Sequence, residues 1–310
     1  MNSNYDNKED TNYLSRSVLD DSPNYPILFS YCSVDTFYNI VKNKEIWLTD
    51  PKFMNDYMEQ HYLDQIVQEM LNQIKEKNSY NEDVIQKFCQ YYYSYAASSN
   101  YFYCCFSSNG DLLSQWCRYA DDGCGFSIGF NSKSWKINYG VPVPFDAIPF
   151  PTNQLMLNRI HYYSDKTRDA LFNFIIRILD LLKNDDKNIN NFGSIFSARL
   201  CSLRNIIKNP AFSEEKEYRI IFNDPSDYVG IQNFGFNDDK YRISSLLESY
   251  KFRRKNNSIS RYYPLKFSDN FIEQVFIGPK NVSLEKDICD YLKSNGIDNV
   301  KIRRSSASYR

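Results

Sequence analysis

The hydrophobic pattern of the chain changes period several times. Ile27–Cys32 is a short apolar run of strand length, and Val34, Phe37, Ile40 and Val41 follow at helical spacing behind Ser33-Val34-Asp35. Residues 45–48 read as a second strand stopped by Thr49-Asp50-Pro51. Leu63, Ile66, Val67, Met70, Leu71 and Ile74 mark one face of a long amphipathic helix, and Val84, Ile85, Phe88 and Tyr92 mark another over about 82–97. A buried strand at 101–106 precedes a short helix at 112–119, which Asp111 is placed to cap and which turns Leu112, Leu113 and Trp116 inward. Asp121-Asp122-Gly123 makes a turn and 124–130 a strand.

Beyond a Pro-rich loop (142–151) the pattern predicts a strand near 159–163 and helices at 165–183 and 193–207. Strands then dominate: 216–223, 228–234, 261–267 and 272–277. A break at Gly278-Pro279, a helix at 283–294 with Gly296 beyond it, and a strand at 299–303 complete the chain. Helices between early strands and strands clustered late imply an α+β fold with a mixed, largely antiparallel sheet flanked by helices. Residues 1–24 carry no apolar period and are expected to be a disordered tail. The expectation is then one domain over 25–310, with a helical insertion around 165–207.

Composition narrows the function classes. The 310 residues are 42% hydrophobic and 24% charged, enough for a packed core, and the net charge of −1 gives no global field for nucleic acid. The best local basic patch is Arg253-Arg254-Lys255, read as a solvated loop. No apolar run approaches the ~18 residues of a membrane helix, and the polar start has no signal-peptide core, so the expected location is the cytoplasm. The eight cysteines show no CxxC spacing, and most of them read as small buried hydrophobes. Only two histidines are present, which excludes a His-rich metal site. No GxGxxG or Walker-type loop occurs.

Candidate chemistry concentrates in four segments. Glu215-Lys216-Glu217-Tyr218-Arg219 puts two carboxylates and a guanidinium at alternate positions, so on a strand all three share one face. Such charges beside Ile220-Ile221-Phe222 are costly unless they pair with each other or serve a ligand. Asn55-Asp56-x-x-Glu59 is either a turn and helix cap or a ligand-binding loop. Trp116 is either a core anchor or a stacking platform, and Arg118 either a surface charge or an anion clamp. Tyr31 closes the first strand.

These blocks resemble a bacterial family catalogued as domain of unknown function 2971. Its motifs match Ile46-Trp47-Leu48-Thr49, Phe53 through Glu59, Cys105-Phe106-Ser107, Trp116-Cys117-Arg118-Tyr119, Gly123 through Phe130, Glu215 through Arg219, Ile272 through Gly278, and Ser305 or Ser306 through Tyr309-Arg310. Met54 interrupts the Phe-Asn-Asp block, and Tyr57 stands where Pro is usual. The opening strand and helix, the Trp-x-x-Tyr block and a late Glu on a strand also resemble ADP-ribosyltransferases, with Ser30-Tyr31 where those enzymes keep a His or Arg.

That second resemblance implies an ADP-ribosyltransferase-like fold and an enzyme that consumes NAD, a toxin or anti-phage effector, with a protein or nucleic-acid acceptor. Glu217 or Glu215 would stabilise the oxocarbenium-like transition state. Tyr31, Trp116 and Tyr119 would stack on nicotinamide, Arg118 or Arg219 would hold a phosphate, and Asn55 and Asp56 would border the cofactor.

Two other readings stay open. Asp56, Glu59, Glu215 and Glu217 could hold Mg²⁺ in a nuclease or phosphodiesterase, with Lys216 or Lys208 at the phosphate. Alternatively Glu215 and Glu217 form an ion-pair network with Arg219, Arg118 or Arg204 in a non-enzymatic sensor or interaction module. The readings differ spatially: an open pocket shared by Tyr31, Trp116 and Glu217; three carboxylates within reach of one ion; or full pairing with no cavity alongside.

Overall fold

A computed structural model describes residues 27–53, 59–139, 155–184, 186–224, 247–255 and 257–309. The expected tail at 1–24, the Pro-rich loop at 142–151, the strand at 228–234 and both Asn55 and Asp56 lie outside the described residues.

The strands are β1 (Ile27–Cys32), β2 (Glu45–Thr49), β3 (Tyr101–Ser107), β4 (Phe126–Asn131), β5 (Asn138–Tyr139), β6 (Leu155–Arg159), β7 (His161–Tyr162), β8 (Ile207–Lys208), β9 (Glu217–Asn223), β10 (Lys251–Lys255), β11 (Ser258–Lys266), β12 (Ile272–Ile277) and β13 (Lys301–Arg304). The helices are α1 (Val34–Asn43), α2 (Glu59–Glu76), α3 (Glu82–Ser98), α4 (Leu113–Tyr119), α5 (Asp165–Leu182), α6 (Lys187–Ser202) and α7 (Glu285–Ser294). The fold is α+β, with a mixed, largely antiparallel sheet of eleven strands among the described residues. Its parallel pairs are β12 with β13 and β5 with β6. β7 and β8 pair separately.

Both faces of the sheet are covered, and the period-two alternation of β3 and β9 decides which side chain goes where. Tyr101, Tyr103 and Ile221 face a helical layer built from α2, α3, α5 and α6. Phe102, Phe106, Ile220 and Phe222 face the other core, with α1 and α7. The helices 165–182 and 187–202 thus share one hydrophobic cluster with α2 and α3. No described helix is long and apolar enough to cross a membrane.

Several local expectations are corrected. Arg253 and its neighbours are not in a loop: Lys251–Lys255 pairs in register with β11. Val34 and Leu113 are exposed, because each sits in the first turn of its helix, before the buried face is established. Asp111 does not cap α4; Leu112 holds that position without a side-chain bond. Asp111 instead accepts from Trp116 Nε1 at 2.8 Å and from the Ser305 and Ser306 hydroxyls and the Ser306 N–H, tying the C-terminal segment to α4. Cys117 is exposed rather than buried. Gly123 sits at φ 86°, and a Cβ on Gly125 would lie 2.0 Å from the Cys32 carbonyl oxygen, so the turn before β4 needs both glycines.

The feature that makes the site is a parting of the sheet. β3 pairs with β9 over seven positions, from Tyr101↔Asn223 to Ser107↔Glu217. On its other side it has one register pair with β2, Thr49↔Tyr103, and one with β1, Phe29↔Ser107. β2 and β1 are committed elsewhere, to β11 and β4. Cys104, Cys105 and Phe106 therefore border a gap between the strands.

Candidate functional site

One wall of the gap is the start of β9. Asn209 caps a 3-10 turn, Pro210–Glu215, by accepting from the Ala211 N–H. Lys216 follows at φ 47°, a left-handed conformation uncommon for a non-glycine residue. β9 then begins at Glu217. Strand alternation therefore applies to Glu217 and Arg219 but not to Glu215, which reaches the same place from the turn. Two bonds fix the turn to the end of β3: Ser107 Oγ donates to the Glu215 carbonyl at 2.7 Å, and Ser108 N–H donates to the Lys216 carbonyl at 3.0 Å.

Lys208, on β8, joins the two carboxylates. Its Nζ lies 2.7 Å from Glu215 Oε2 and 2.8 Å from Glu217 Oε2. Arg219 grips Glu217 twice, Nε to Oε1 at 2.6 Å and Nη2 to Oε2 at 3.0 Å, and donates from Nη1 to the Asn205 carbonyl at 2.9 Å. Its guanidinium lies 4.7 Å from the Tyr103 ring centroid. Arg118 reaches in from α4 to Glu215 Oε1 at 3.0 Å. The Phe212 ring lies beneath both Lys208 and Arg118.

The Lys208, Glu215, Glu217 and Arg219 side chains are at most 7% exposed, whereas Arg118 is 48% exposed. Two buried carboxylates thus meet two buried cations and one half-exposed one. Burial by itself would favour the neutral acid at Glu217, but Arg219 and Lys208 overcome it and hold the pKa at about 2. The Glu217 N–H donates to the Tyr162 hydroxyl at 3.1 Å, and burial pushes that phenol up to about 12.

The other walls come from β1, β2, β3, α4 and β10. Together they enclose a cavity of about 290 Å³ lined by Tyr31, Trp47, Tyr103, Gln115, Tyr119, Lys208, Phe212, Glu215, Glu217 and Arg253, among others. Tyr31 contributes its ring, because its hydroxyl donates to the Asn109 carbonyl and accepts from the Leu112 N–H, each at 2.8 Å. Burial, followed by the charge of Glu215, keeps the Tyr119 phenol protonated far above its usual range.

The structure therefore brings Tyr31, Tyr119, Glu215 and Glu217 to one cavity. Trp116 is not at its wall. It is fully buried, packs edge-on against Tyr31 at 4.9 Å and holds that ring from behind. Arg118 and Arg219 are engaged by the two carboxylates and do not line the cavity. Arg204 pairs with Asp64 at 2.8 Å rather than with either glutamate. Among the described residues no group of three or more His, Cys, Asp or Glu is placed to hold a metal ion. An ammonium, Lys208 Nζ, fills the point where the two carboxylates converge.

The residue pattern gave Phe212, Gln115 and Tyr103 no role of their own. Trp47 was visible only as part of a motif, and Arg253 only as part of a basic run, although β10 and β11 form a local hairpin closed by the pair Lys255↔Ser258.

An α+β protein with a parted sheet and a charged, aromatic cleft is the class that fold and site define. Residues 115–220, about a third of the chain, match the profile of a family described as a protein of unknown function (DUF2971). The match runs from α4 to β9 and takes in the Trp-x-x-Tyr and Glu-x-Glu-x-Arg blocks, but not those at 46–59 or 272–310. No curated protein and no solved structure matches the chain, so no ADP-ribosyltransferase is among the findings.

Proposed function

We propose that the cleft takes NAD and that the protein is an ADP-ribosyltransferase-like enzyme. The observation that carries this reading is that aromatic rings (Tyr31, Tyr119, Trp47), two carboxylates and the Arg253 guanidinium border one cavity. In the reaction the C1′–N bond to nicotinamide breaks, and the ring leaves as a neutral base with the bonding electrons. An acceptor nucleophile then forms the new bond at C1′ and loses its proton. An anion close to C1′ stabilises the developing positive charge.

The two glutamates are not equal candidates for that part. An ionised carboxylate has about four lone-pair sites. Three donors occupy Glu217 and two occupy Glu215. Glu215 has the greater capacity left for a ribose hydroxyl, and Glu217 positions Lys208 and Arg219 around it.

The test is nicotinamide release from NAD by the purified protein, with and without lysate and nucleic acid, beside Glu215→Gln and Glu217→Gln. The variants are assayed at a temperature where circular dichroism shows them folded. Release that both substitutions reduce supports the enzyme, and the lysate fraction that captures label identifies the acceptor class. No release under any of these conditions overturns it.

A second reading, a ligand-binding module without chemistry, is favoured by one observation: Lys208, Arg118 and Arg219 already neutralise both carboxylates. It predicts ligand binding without turnover in the same assay.

A further inference from the structure

A second cavity of about 200 Å³ adjoins the first, reaching under α1 to Thr36, Asn39 and Asn43. The two share Ser30, Trp47, Thr49, Cys104, Phe106 and Arg253 in their walls. They are two lobes of one trough, and these shared residues form its waist. Arg253 there differs from the cations around Glu217. Its Nη2 donates to Thr49 Oγ1 at 2.9 Å and its guanidinium lies 5.1 Å from the Trp47 ring centroid. Among the described residues it has no carboxylate partner, and its Nε is shut off from solvent with no acceptor.

Neighbouring groups keep this arrangement in place. Trp47 is held in position by its Nε1–H donating to Glu45 Oε1 at 2.9 Å and by the Tyr262 ring 4.3 Å away. Glu45, the carboxylate in the smaller lobe, is itself engaged by Lys266 at 2.8 Å. In the larger lobe the buried Gln115 Nε2 also has no acceptor. A buried donor is costly to leave without an acceptor, so the trough is short of acceptor atoms at its waist and in one lobe. A planar guanidinium presents a fork that matches phosphate. Burial lowers the Arg253 pKa and so disfavours its charged form, a cost that an anion would offset.

We propose that Arg253, held against Trp47 at the waist of the trough, anchors the phosphate of a nucleotide-class ligand whose ring-bearing ends occupy the lobes. The dinucleotide form of this ligand rests on the NAD reading above; the phosphate anchor does not.

Trp47 supplies the assay. The other two tryptophans, Trp116 and Trp135, are sealed in the core, so ligand-dependent change in tryptophan fluorescence reports the waist. ADP, ADP-ribose, inorganic pyrophosphate and adenosine are titrated into the full chain, with calorimetry alongside. The three phosphate ligands are expected to bind and change the signal, with adenosine about tenfold weaker or worse, as when a charge-assisted hydrogen bond is missing. Arg253→Gln should bring the phosphate ligands down to the level of adenosine. Arg253→Lys, which keeps the charge but not the fork, should fall between. Trp47→Phe should abolish the optical signal while calorimetric binding persists.

Adenosine binding as tightly as ADP, or Arg253→Gln binding ADP like the wild type at an unchanged Tm, overturns the anchor. The two proposals fail separately. ADP binding through Arg253 without NAD turnover removes the chemistry and keeps the anchor. NAD turnover with an unchanged KM in Arg253→Gln does the reverse.

Discussion

Glu217→Gln is the substitution whose outcome the structure fixes most tightly. The amide keeps the shape of the carboxylate and removes its charge. Arg219, at 2% exposure, then loses both of its bonds to an anion and keeps the Asn205 carbonyl; Lys208 keeps Glu215. Either Gln orientation also sets an NH₂ against a donor, Arg219 Nε at one position or Lys208 Nζ and Arg219 Nη2 at the other. Removing one partner of a buried ion pair costs about 3–5 kcal/mol.

The pKa gives an independent measure. Glu217 is held at about 2 against an ordinary 4.5. At 1.36 kcal/mol per pKa unit that difference stabilises the fold by about 3 kcal/mol. At about 2 °C per kcal/mol for a chain of this length, Tm should fall by roughly 6–10 °C at pH 7. The sign of the pH dependence follows from a lowered folded-state pKa. The stabilisation is complete above 4.5 and is lost as pH falls through about 2. Gln does not titrate, so the Tm gap between the two proteins should narrow as pH is lowered from 5 towards 2. Melts by circular dichroism over that range measure it. A variant within about 1 °C of the wild type at pH 7, or a gap that widens in acid, would refute the buried-pair account.

Two further substitutions probe the same architecture. Lys208→Met leaves two buried carboxylates facing each other and should cost about 3–5 kcal/mol, while Glu215→Gln added to it should recover part of the loss, a favourable coupling that a double-mutant cycle in urea measures. Asp111→Ala removes acceptors from Trp116 Nε1 and from Ser305 and Ser306; a loss of about 2–4 kcal/mol is expected, together with faster hydrogen exchange at 304–308. Burial opposes the charge on Asp111, but those hydrogen bonds lower its pKa, so this contribution too should fade as the carboxyl is protonated in acid.

The sequence was most legible where period and burial coincide. Leu63, Ile66, Val67, Met70, Leu71 and Ile74 are all buried, as their spacing requires, and the alternation of Glu217 with Arg219 follows from strand geometry alone. What it did not carry was set by strand pairing and local backbone geometry that residue type does not announce. Lys208 meets Glu215 and Glu217 because β8 pairs with β7, whose Tyr162 hydroxyl accepts from the Glu217 N–H at the start of β9. Arg253 is a strand residue through the local β10–β11 hairpin, and it reaches the site only because β11 also pairs with β2. The αL turn at Lys216 brings Glu215 alongside Glu217 without strand alternation, and no residue type in Ser-Glu-Glu-Lys-Glu announces a left-handed lysine. Trp116 on a short helix reads more readily as a core anchor than as a platform, and its full burial and its bond to Asp111 make it the anchor.

A structural ladder and a ligand site need not be alternatives here. Buried ion pairs are a poor source of stability, because well-packed apolar residues of the same volume often do as well. Their placement is the informative part. The Lys208 network stands where β1 and β2 leave β3, and it borders a trough whose remaining donors, Arg253 Nε and Gln115 Nε2, have no acceptor among the described residues. A ladder that only closed a sheet edge would have no use for such donors on the far wall. If the ion pairs hold the cleft open for an acceptor-rich ligand, then that ligand should stabilise the fold by RT ln(1 + [L]/Kd), about 2.7 kcal/mol at a hundredfold excess over Kd. ADP at that excess should raise Tm in the wild type, and the rise should vanish in Arg253→Gln, in which every ion pair around Glu217 is intact. An equal rise in both proteins would place ADP away from Arg253 and overturn the phosphate anchor.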